Sequence, residues 1–584
     1  MKRQIIITLL ALMAVTAFGQ HDEQVTVEGK FRPKVNKVNK LQLQPETPQP
    51  SYRFPSSEVT PKDATQKFAL DLEKIAPTAF AAKNDKLVTP TENFVMAGIG
   101  TRLSPIFLYK HNSMLTKQLG LGVGVKHNSS WLNIKDYAPS GYMNNAFEVN
   151  LTTSQFDGFQ VDGGVFYKND VYHYYGVNLT ETPLTDEQIE KYCPCQAYNS
   201  IGGHVGLAPT STRAGELSHS GSMDYQYTFD AFSSKEHFLG VDYGLGYTET
   251  WWGPKERPQK VGVNVSFQYD GYAPAGYVEN RIFFKVNPFF EMKDDFYRMH
   301  LGLWMDVVAG EELEDKHFAL RPDLSGSLFV LDKKLEFYAG LKGGRKLMRF
   351  SEIVGDNPFV FIASHDEVHV VRNERLCFEG GVRTNIAEIV DLHVGVRYRH
   401  VDNDAFYVMD DIGPGQLSDL FHDDYSYPRL YNTYGIVYDE TKTVSVLADA
   451  RVKMRNSLTA DLGLAYHSCS PAIQEYAWYR PTTEAKLKVT YDYNDKLAFN
   501  TTLLYQGGRY AKVSDDGPYW KYPPRFYAEK LKNVFDLSLG ADYKVNDQIT
   551  AFALIDNLAH QKYQLYYNYP VTGIQLYAGV KLKF

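Results

Sequence analysis

The last eleven residues of the chain, 574–584, alternate strictly between apolar side chains and polar or small ones. The apolar members share one parity and are Ile574, Leu576, Ala578, Val580, Leu582 and Phe584. The residues between them are Gln575, Tyr577, Gly579, Lys581 and Lys583. Because successive side chains of a β-strand point to opposite faces, this segment predicts a terminal strand with one wholly apolar face.

The same alternation recurs along the chain from about Asn93 onward, for example in residues 119–125, 261–269 and 392–398. Short polar turns at 455–457, 494–495 and 546–547 separate neighbouring alternating segments, as in antiparallel hairpins. An open sheet of so many strands would leave exposed edges. The sequence therefore predicts an all-β fold, a large closed antiparallel transmembrane β-barrel of about 20–22 strands.

Charged residues on the predicted strands fall on one face. They are Asp449, Arg451, Lys453 and Arg455 on one strand, and Glu484, Lys486, Lys488 and Asp492 on another. A lipid-facing charge near the bilayer midplane costs about 2–4 kcal/mol. We therefore expect these side chains to point into a polar lumen while their apolar neighbours face lipid.

Composition excludes two other classes of protein. The mean hydropathy of −0.35 is too polar for a helical membrane protein, whereas a barrel needs only every second strand residue apolar. The net charge of −8 argues against a nucleic-acid partner. Aromatic residues make up 14% of the chain, which suits strands and interfacial aromatic girdles but also a large secreted β protein.

Three regions are predicted along the chain. Residues 1–19 form a signal peptide, with Lys2 and Arg3 before an apolar core and a small residue, Gly19, at the cleavage site. Residues 20–92 form a proline-rich periplasmic segment, and residues 93–584 form the barrel. Irregular stretches near 182–215, 347–374, 403–430 and 507–528 are expected to be extracellular loops. These predictions place the protein in the Gram-negative outer membrane, in contact with lipid and lipopolysaccharide.

The end of the chain resembles the barrels of TonB-dependent receptors. The matching stretches are Ile555-Asp-Asn-Leu558, Lys562-Tyr563, Tyr569-Pro570 and the terminal strand. The front is similar to TonB-dependent receptor-like proteins that lack a recognisable plug domain, through Val25-Thr-Val-Glu-Gly29, residues 31–40, 95–100, 121–127 and 171–176. The resemblance implies transport or reception of a polar solute.

The resemblance also implies partners. Glu23, Gln24, Val25, Thr26 and Val27 are similar to a TonB box, the peptide that adds a strand to the energising protein TonB. Tyr577, Val580, Leu582 and Phe584 correspond to the C-terminal signal that the barrel-assembly machinery reads. The alternative is a structural or accessory subunit of an outer-membrane complex, docking another periplasmic or outer-membrane protein through the basic residues 32–40.

Enzymatic motifs are absent from the sequence, and no cofactor is expected. His365 and His369 would share a helical face, but in a strand they lie too far apart for one metal ion. The acidic group Asp410, Asp411, His422, Asp423 and Asp424 is either solvated loop charge or a site that binds Ca²⁺ or bridges lipopolysaccharide through divalent ions. A lipid-modifying barrel enzyme remains a third alternative, and we predict no catalytic residue and no metal ligand.

Two further features have competing interpretations. Trp251 and Trp252 suit the interfacial girdle, or alternatively a stacking platform for a sugar. Cys193 and Cys195, separated by one proline, are strained as a mutual pair, so pairing with Cys377 or Cys469 stays open.

Overall fold

The computed structural model describes residues 93–584, except 157, 211–214, 254–256, 275–278, 311–317, 363–367, 369, 387–388, 411, 421–428, 455–456 and 516–524. The predicted signal peptide, the proline-rich segment and the TonB-box-like residues Glu23–Val27 lie outside the described residues. So do Arg455, Asp411, the two histidines of the 365–369 motif and residues 422–424.

Strands dominate the described part of the chain. In chain order they are β1 (Asn93–Gly100), β2 (Ser104–Met114), β3 (Leu119–Ser130), β4 (Tyr142–Thr153), β5 (Phe159–His173), β6 (Cys195–Pro209), β7 (Leu217–Phe229), β8 (Lys235–Glu249), β9 (Gln259–Ala273), β10 (Glu279–Lys293), β11 (Tyr297–Gly310), β12 (Ala319–Val330), β13 (Leu335–Leu347), β14 (Val371–Ile386), β15 (Val390–Asp410), β16 (Thr433–Met454), β17 (Leu458–Pro471), β18 (Thr483–Asp492), β19 (Leu497–Gly507), β20 (Tyr510–Asp515), β21 (Arg525–Lys530), β22 (Val534–Lys544), β23 (Ile549–Asp556), β24 (Gln564–Tyr566), β25 (Tyr569–Pro570) and β26 (Gln575–Lys583). Three short helices are α1 (Asp186–Tyr192), α2 (Phe350–Asp356) and α3 (Pro414–Leu420).

Within the described residues, 22 of these strands form one antiparallel sheet, and β20–β21 and β24–β25 form two separate ribbons. The sheet closes because β26 pairs with β1, with Gly98 opposite Gly579. The predicted closed barrel is confirmed, and its strand number lies at the upper end of the expected range. The three predicted hairpins are also confirmed as β16–β17, β18–β19 and β22–β23.

The two faces of the wall differ as the alternation predicts. Val444, Val446 and Met454 of β16, which share one parity, are exposed on the outer face. Asp449 lies on the inner face and pairs with His393 at 3.0 Å. Arg451, on the same face, pairs with Asp461 of β17.

The connections at the two ends of the barrel are unequal. At one end, the turn end, short connections such as 115–118 and 545–548 join the strands, and Asn93 lies beside Phe584. At the other end, the loop end, the long connections include 174–194, 348–370, 411–432, 508–533 and 557–574, which carry all three described helices. No helix in the described ranges has the length and apolar character needed to cross a membrane.

Two of the predicted loop boundaries are wrong. Residues 195–209 form β6, and residues 403–410 continue β15. Both segments are rich in small or polar residues that resemble loop composition. Pairing with a long neighbouring strand nevertheless extends the ladder through them, because every backbone group of a barrel strand needs a partner.

An apolar cluster lines the inner face where the barrel closes. Tyr577 of β26 packs there with Phe552 of β23 and with three residues of β1 and β2. These three are Met96, Ile106 and Leu108. Tyr577 is buried, whereas Val580, Leu582 and Phe584 belong to the outer parity of the chain end. The predicted assembly-signal residues therefore lie on both faces of the closing strand.

Candidate functional site

The 348–370 connection lies across the loop end of the lumen. Tyr198, on the inner face of β6, donates a hydrogen bond to the Pro358 carbonyl oxygen at 3.1 Å. Tyr566, between β23 and β26, donates one to the Asp356 carbonyl oxygen at 2.9 Å. Strands β6, β13 and β23 are each about a third of the circumference apart in the wall. Contacts that join these three parts of the wall must therefore be made across the lumen.

Aromatic rings form the centre of this arrangement. Phe359 stacks on Tyr569 with ring centroids 3.7 Å apart. Tyr175, from the β5–β6 connection, meets Tyr569 edge-on at 4.8 Å. Tyr434 contacts Tyr566 edge-on at 5.4 Å. Such offset and edge-to-face pairs each add about 0.5–1.5 kcal/mol beyond the burial of their surface.

We call the packed connections 174–194, 348–370, 429–432, 472–482, 508–533 and 557–574 the loop cap, within their described residues. Asn432 links the 429–432 connection to the 174–194 connection. Its side-chain nitrogen donates to the Tyr174 carbonyl oxygen at 3.0 Å and to the Tyr192 carbonyl oxygen at 2.8 Å. Arg509 donates to the carbonyl oxygens of Gln564 and Leu565 at 2.8 and 3.0 Å. Burial lowers the pKa of Arg509 to about 10.

A buried ion network joins the loop cap to the wall. Asp404 of β15 accepts from Arg480 of the cap at 2.5 Å and from Arg372 of β14 at 3.1 Å. The Thr441 hydroxyl donates to the same carboxylate at 2.8 Å. Arg480 also donates to the Ala405 carbonyl oxygen at 2.9 Å. This single carboxylate therefore holds a cap residue and two wall strands together.

Ion pairs as well as buried apolar side chains hold helix α2 in place. Phe350, Ile353 and Val354 are buried on one side of α2. Glu352 pairs with Arg349 at 2.7 Å and with Lys346 at 2.9 Å. Burial alone would raise the pKa of Glu352, but the two cations outweigh it and hold that pKa below its usual value.

The wall inside the barrel carries charges of both signs. His300 lies between Glu291 and Asp323, at 3.1 and 3.2 Å. Lys581 pairs with Asp542 at 2.7 Å on the opposite part of the wall. Other inner-face pairs are Arg399–Glu374, Arg397–Glu379 and Arg383–Glu336. A face of this kind can hydrogen-bond a hydrated, polar solute of either charge.

The structure also describes the tryptophan pair, the four cysteines and Asp410. Trp251 and Trp252 lie exposed in the β8–β9 turn, and Trp252 stacks on the outward Phe290 at 5.6 Å, which favours the girdle interpretation. All four cysteines are described, and each is an unpaired thiol. Asp410 is the last residue of β15, and the other four residues of its predicted cluster lie outside the described residues.

The loop cap is the feature that sequence reasoning missed. A signal for it exists in the density of aromatic residues outside the alternating segments, such as Tyr566, Tyr567 and Tyr569. Solvated loops rarely carry so many large apolar side chains, because such residues are usually buried. Which loops pack together, however, depends on where the barrel places them.

Comparison with solved structures finds similar barrels. The ferric-catecholate import receptor Fiu from K12 E. coli has a TM-score of 0.60 at 9% identity, covering 86% of this chain and 82% of its own. The pyoverdine outer-membrane receptor FpvA from Pseudomonas aeruginosa PAO1 has a TM-score of 0.61 at 12% identity, covering 86% and 80%. The siderophore receptor PiuA from Acinetobacter baumannii has a TM-score of 0.58 at 10% identity, covering 87% and 82%.

No protein-family model matches the sequence, and no curated protein sequence is significantly similar to it. At these identities the likeness concerns the fold. The chain forms a 22-stranded barrel within its described residues, and its fold is similar to that of these import and siderophore receptors.

Proposed function

We propose that this protein is an outer-membrane receptor or transporter for a polar solute, with the loop cap as its extracellular gate. The observation that carries the proposal is a closed barrel whose charged inner face is covered at one end by packed loops. In this orientation the turn end faces the periplasm, as short turns do in bacterial barrels. Export by the predicted signal peptide and energising by TonB through residues 23–27 belong to the same proposal.

The similar structures support this function. Fiu is an import receptor, FpvA is a pyoverdine receptor of the outer membrane and PiuA is a siderophore receptor, so a similar architecture serves uptake and reception in other proteins. The inner-face ion pairs of this chain suit a solute that carries polar groups. An apolar solute would gain nothing from such a wall, because it cannot replace the hydrogen bonds of displaced water.

Conductance in planar lipid bilayers tests the proposal. We expect the intact chain to conduct weakly and the Phe359→Ala/Tyr569→Ala variant to conduct more, because the stack at the centre of the cap is lost. Phe337→Ala is the matched control, since Phe337 is exposed on the outer face. Gel mobility before and after boiling checks that each variant is folded. Background conductance and background solute swelling in every protein, with residues 20–92 present or deleted, would refute transport.

A structural or accessory role is the second candidate, and the tight packing of the loop cap favours it. Six connections held by buried hydrogen bonds form a fixed surface of the kind that another protein binds. A pull-down from detergent-solubilised membranes should then recover a partner in stoichiometric amount, and deletion of residues 20–92 should lose it. Recovery of the barrel alone would count against this role.

A further inference from the structure

Three metal-ligating side chains meet on the outer face of the wall, away from the lumen. His400 and Asp402 of β15 and Glu440 of β16 each offer one ligand atom, and these atoms all lie within 4.8 Å of one another. The Nε2 atom of His400 is 2.8 Å from a carboxylate oxygen of Glu440. His400 shares its parity with Val394 and Val396, which are exposed on the outer face. The inward-facing ion networks therefore do not include this group.

Irregular pairing of three neighbouring strands creates this group. The register of β14 with β15 shifts between Glu374 and Leu376, and that of β15 with β16 shifts between Val401 and Asp404. Asn403, inside the second shift, has a positive φ of 53°. Bulges of this kind re-aim side chains and are common beside functional sites.

The two oxygens of Asp402 have different surroundings. One accepts hydrogen bonds from Asn373 at 2.8 Å and from Arg375 at 2.6 Å. The other is buried and has no hydrogen-bond partner. A carboxylate that is held through one oxygen by Asn373 and Arg375 is fixed in the way that outer-shell partners fix metal ligands. A buried acceptor without a partner is otherwise costly to the fold.

The group lies where an ion can reach it. His400 is ten residues from Val390 at the turn end of β15. At about 3.4 Å per residue and a tilt of roughly 40°, this distance raises His400 about 25 Å, the height of the apolar band. The site is thus at the upper rim of the band, beside water. Its side chains are partly exposed, 19% for His400 and 37% for Glu440.

We propose that His400, Asp402 and Glu440 form a binding site for a divalent transition-metal ion of the Zn²⁺ class on the extracellular rim of the outer wall. One imidazole nitrogen and two carboxylate oxygens are ligands that Zn²⁺ accepts, at about 2.0–2.2 Å from the ion. The imidazole of His400 would ligate in its neutral form, through the lone pair of Nε2.

Titration of the purified full-length protein, without a histidine tag and stripped with a chelator, tests the site. Co²⁺ is followed by its visible absorption and then displaced by Zn²⁺. We expect one equivalent to bind, and the H400A, D402N and E440Q variants to lose affinity by at least about tenfold. R375Q should weaken binding less than these three, because Arg375 only positions Asp402.

His237→Ala is the matched control. His237 also lies on the outer face near the loop end, where it contacts the Tyr225 hydroxyl at 2.9 Å, but it has no carboxylate beside it. We expect this variant to keep the affinity of the original protein. The proposal is overturned if the original protein binds no stoichiometric ion, or if H400A and H237A bind equally well. In that case the group is an ion-pair network, in which Lys442 lies 3.5 Å from Glu440 and Arg375 lies 2.6 Å from Asp402.

Discussion

Asp404 connects the barrel wall to the loop cap through one carboxylate. Replacing it by asparagine leaves Arg372 and Arg480 without their counter-charge. Removing one partner of a buried ion pair costs about 3–5 kcal/mol. Since 35% of the Arg480 side chain is exposed, we expect a loss of about 2–3 kcal/mol in the free energy of unfolding. Urea titration in detergent measures it.

The control for this prediction is Asp332→Asn, in the exposed β12–β13 turn. Asp332 has a positive φ of 53°, a conformation that asparagine also tolerates. Equal unfolding free energies for the two variants would show that Asp404 contributes nothing beyond its volume.

Glu352 gives the loop cap a dependence on pH. Its folded pKa is lower than its unfolded one because Arg349 and Lys346 outweigh the effect of burial. A lowered pKa stabilises the fold above the unfolded value of about 4.3, and this stabilisation is lost as the pH falls through the folded pKa. Between about pH 6 and pH 3, we expect the unfolding free energy to fall more steeply for the original protein than for Glu352→Gln.

The matched variant here is Glu529→Gln, because Glu529 is exposed on β21. It should follow the original protein across the same pH series. A slope for Glu352→Gln identical to that of the original protein would contradict the role of Glu352.

At the residue scale, the sequence predicted which face of the barrel wall a charged side chain lies on, but not which residue it pairs with. Alternation alone predicted that Asp449 and Arg451 point inward, because a charge on the other face would meet lipid. It did not predict that Asp404 would meet Arg480, since that contact spans 76 residues and depends on a loop that folds back on the wall.

At the element scale, strands β1 and β26 approach each other closely where they close the barrel. Gly98 and Gly579 face each other across the closing pair, under the ring of Phe552. A Cβ atom at Gly579 would lie 2.1 Å from the Ala97 carbonyl oxygen, closer than real contacts allow. We expect Gly579→Val to open this pair, and the unboiled protein to lose its folded mobility on a gel.

Gly326→Val serves for comparison. Gly326 is on β12, and the nearest atom to an added Cβ there is 3.7 Å away, an ordinary contact. This variant should migrate like the original protein. If both variants migrate as folded barrels, close approach at the closing pair does not matter.

The hairpin turns were predictable from the sequence, but the ends of the strands at the loop end were not. Asn494 and Asn546 mark short turns because their side chains accept from the backbone two or three residues on. The ends of β15 and β16 at the loop end carry no such signal. These strands continue because each supplies backbone partners to the other, a property of the pair that one segment alone does not reveal.

For the molecule as a whole, the loop cap should resist proteolysis. Arg480 and Arg509 are basic residues in the cap, and their side chains are held by buried contacts. We expect trypsin to cut the intact protein slowly at these residues and the Tyr569→Ala variant faster, as mass spectrometry of the fragments would show. Equal cleavage patterns would mean that the aromatic stack does not hold the cap closed.

The overall architecture followed from the sequence because one physical constraint, an apolar face on every strand, acts along the whole wall. The loop cap did not follow, because the packing of loops depends on the diameter of the barrel and on which connections face each other across it. Both depend on strand number and stagger, which are properties of the closed sheet.

The backbone nitrogen of Asn93 donates to the Phe584 carbonyl oxygen at 2.8 Å, so the ends of the wall already touch. A circular permutant is therefore geometrically simple: a short linker joins Phe584 to Asn93, and new ends are opened in the 331–334 turn. The finished cylinder would contain the same strand neighbours, yet β26 would be synthesised in the middle of the chain. Such a permutant separates two roles of β26. Tyr577, Val580, Leu582 and Phe584 would still pack in the barrel wall, but they would no longer form a C-terminal signal for barrel assembly.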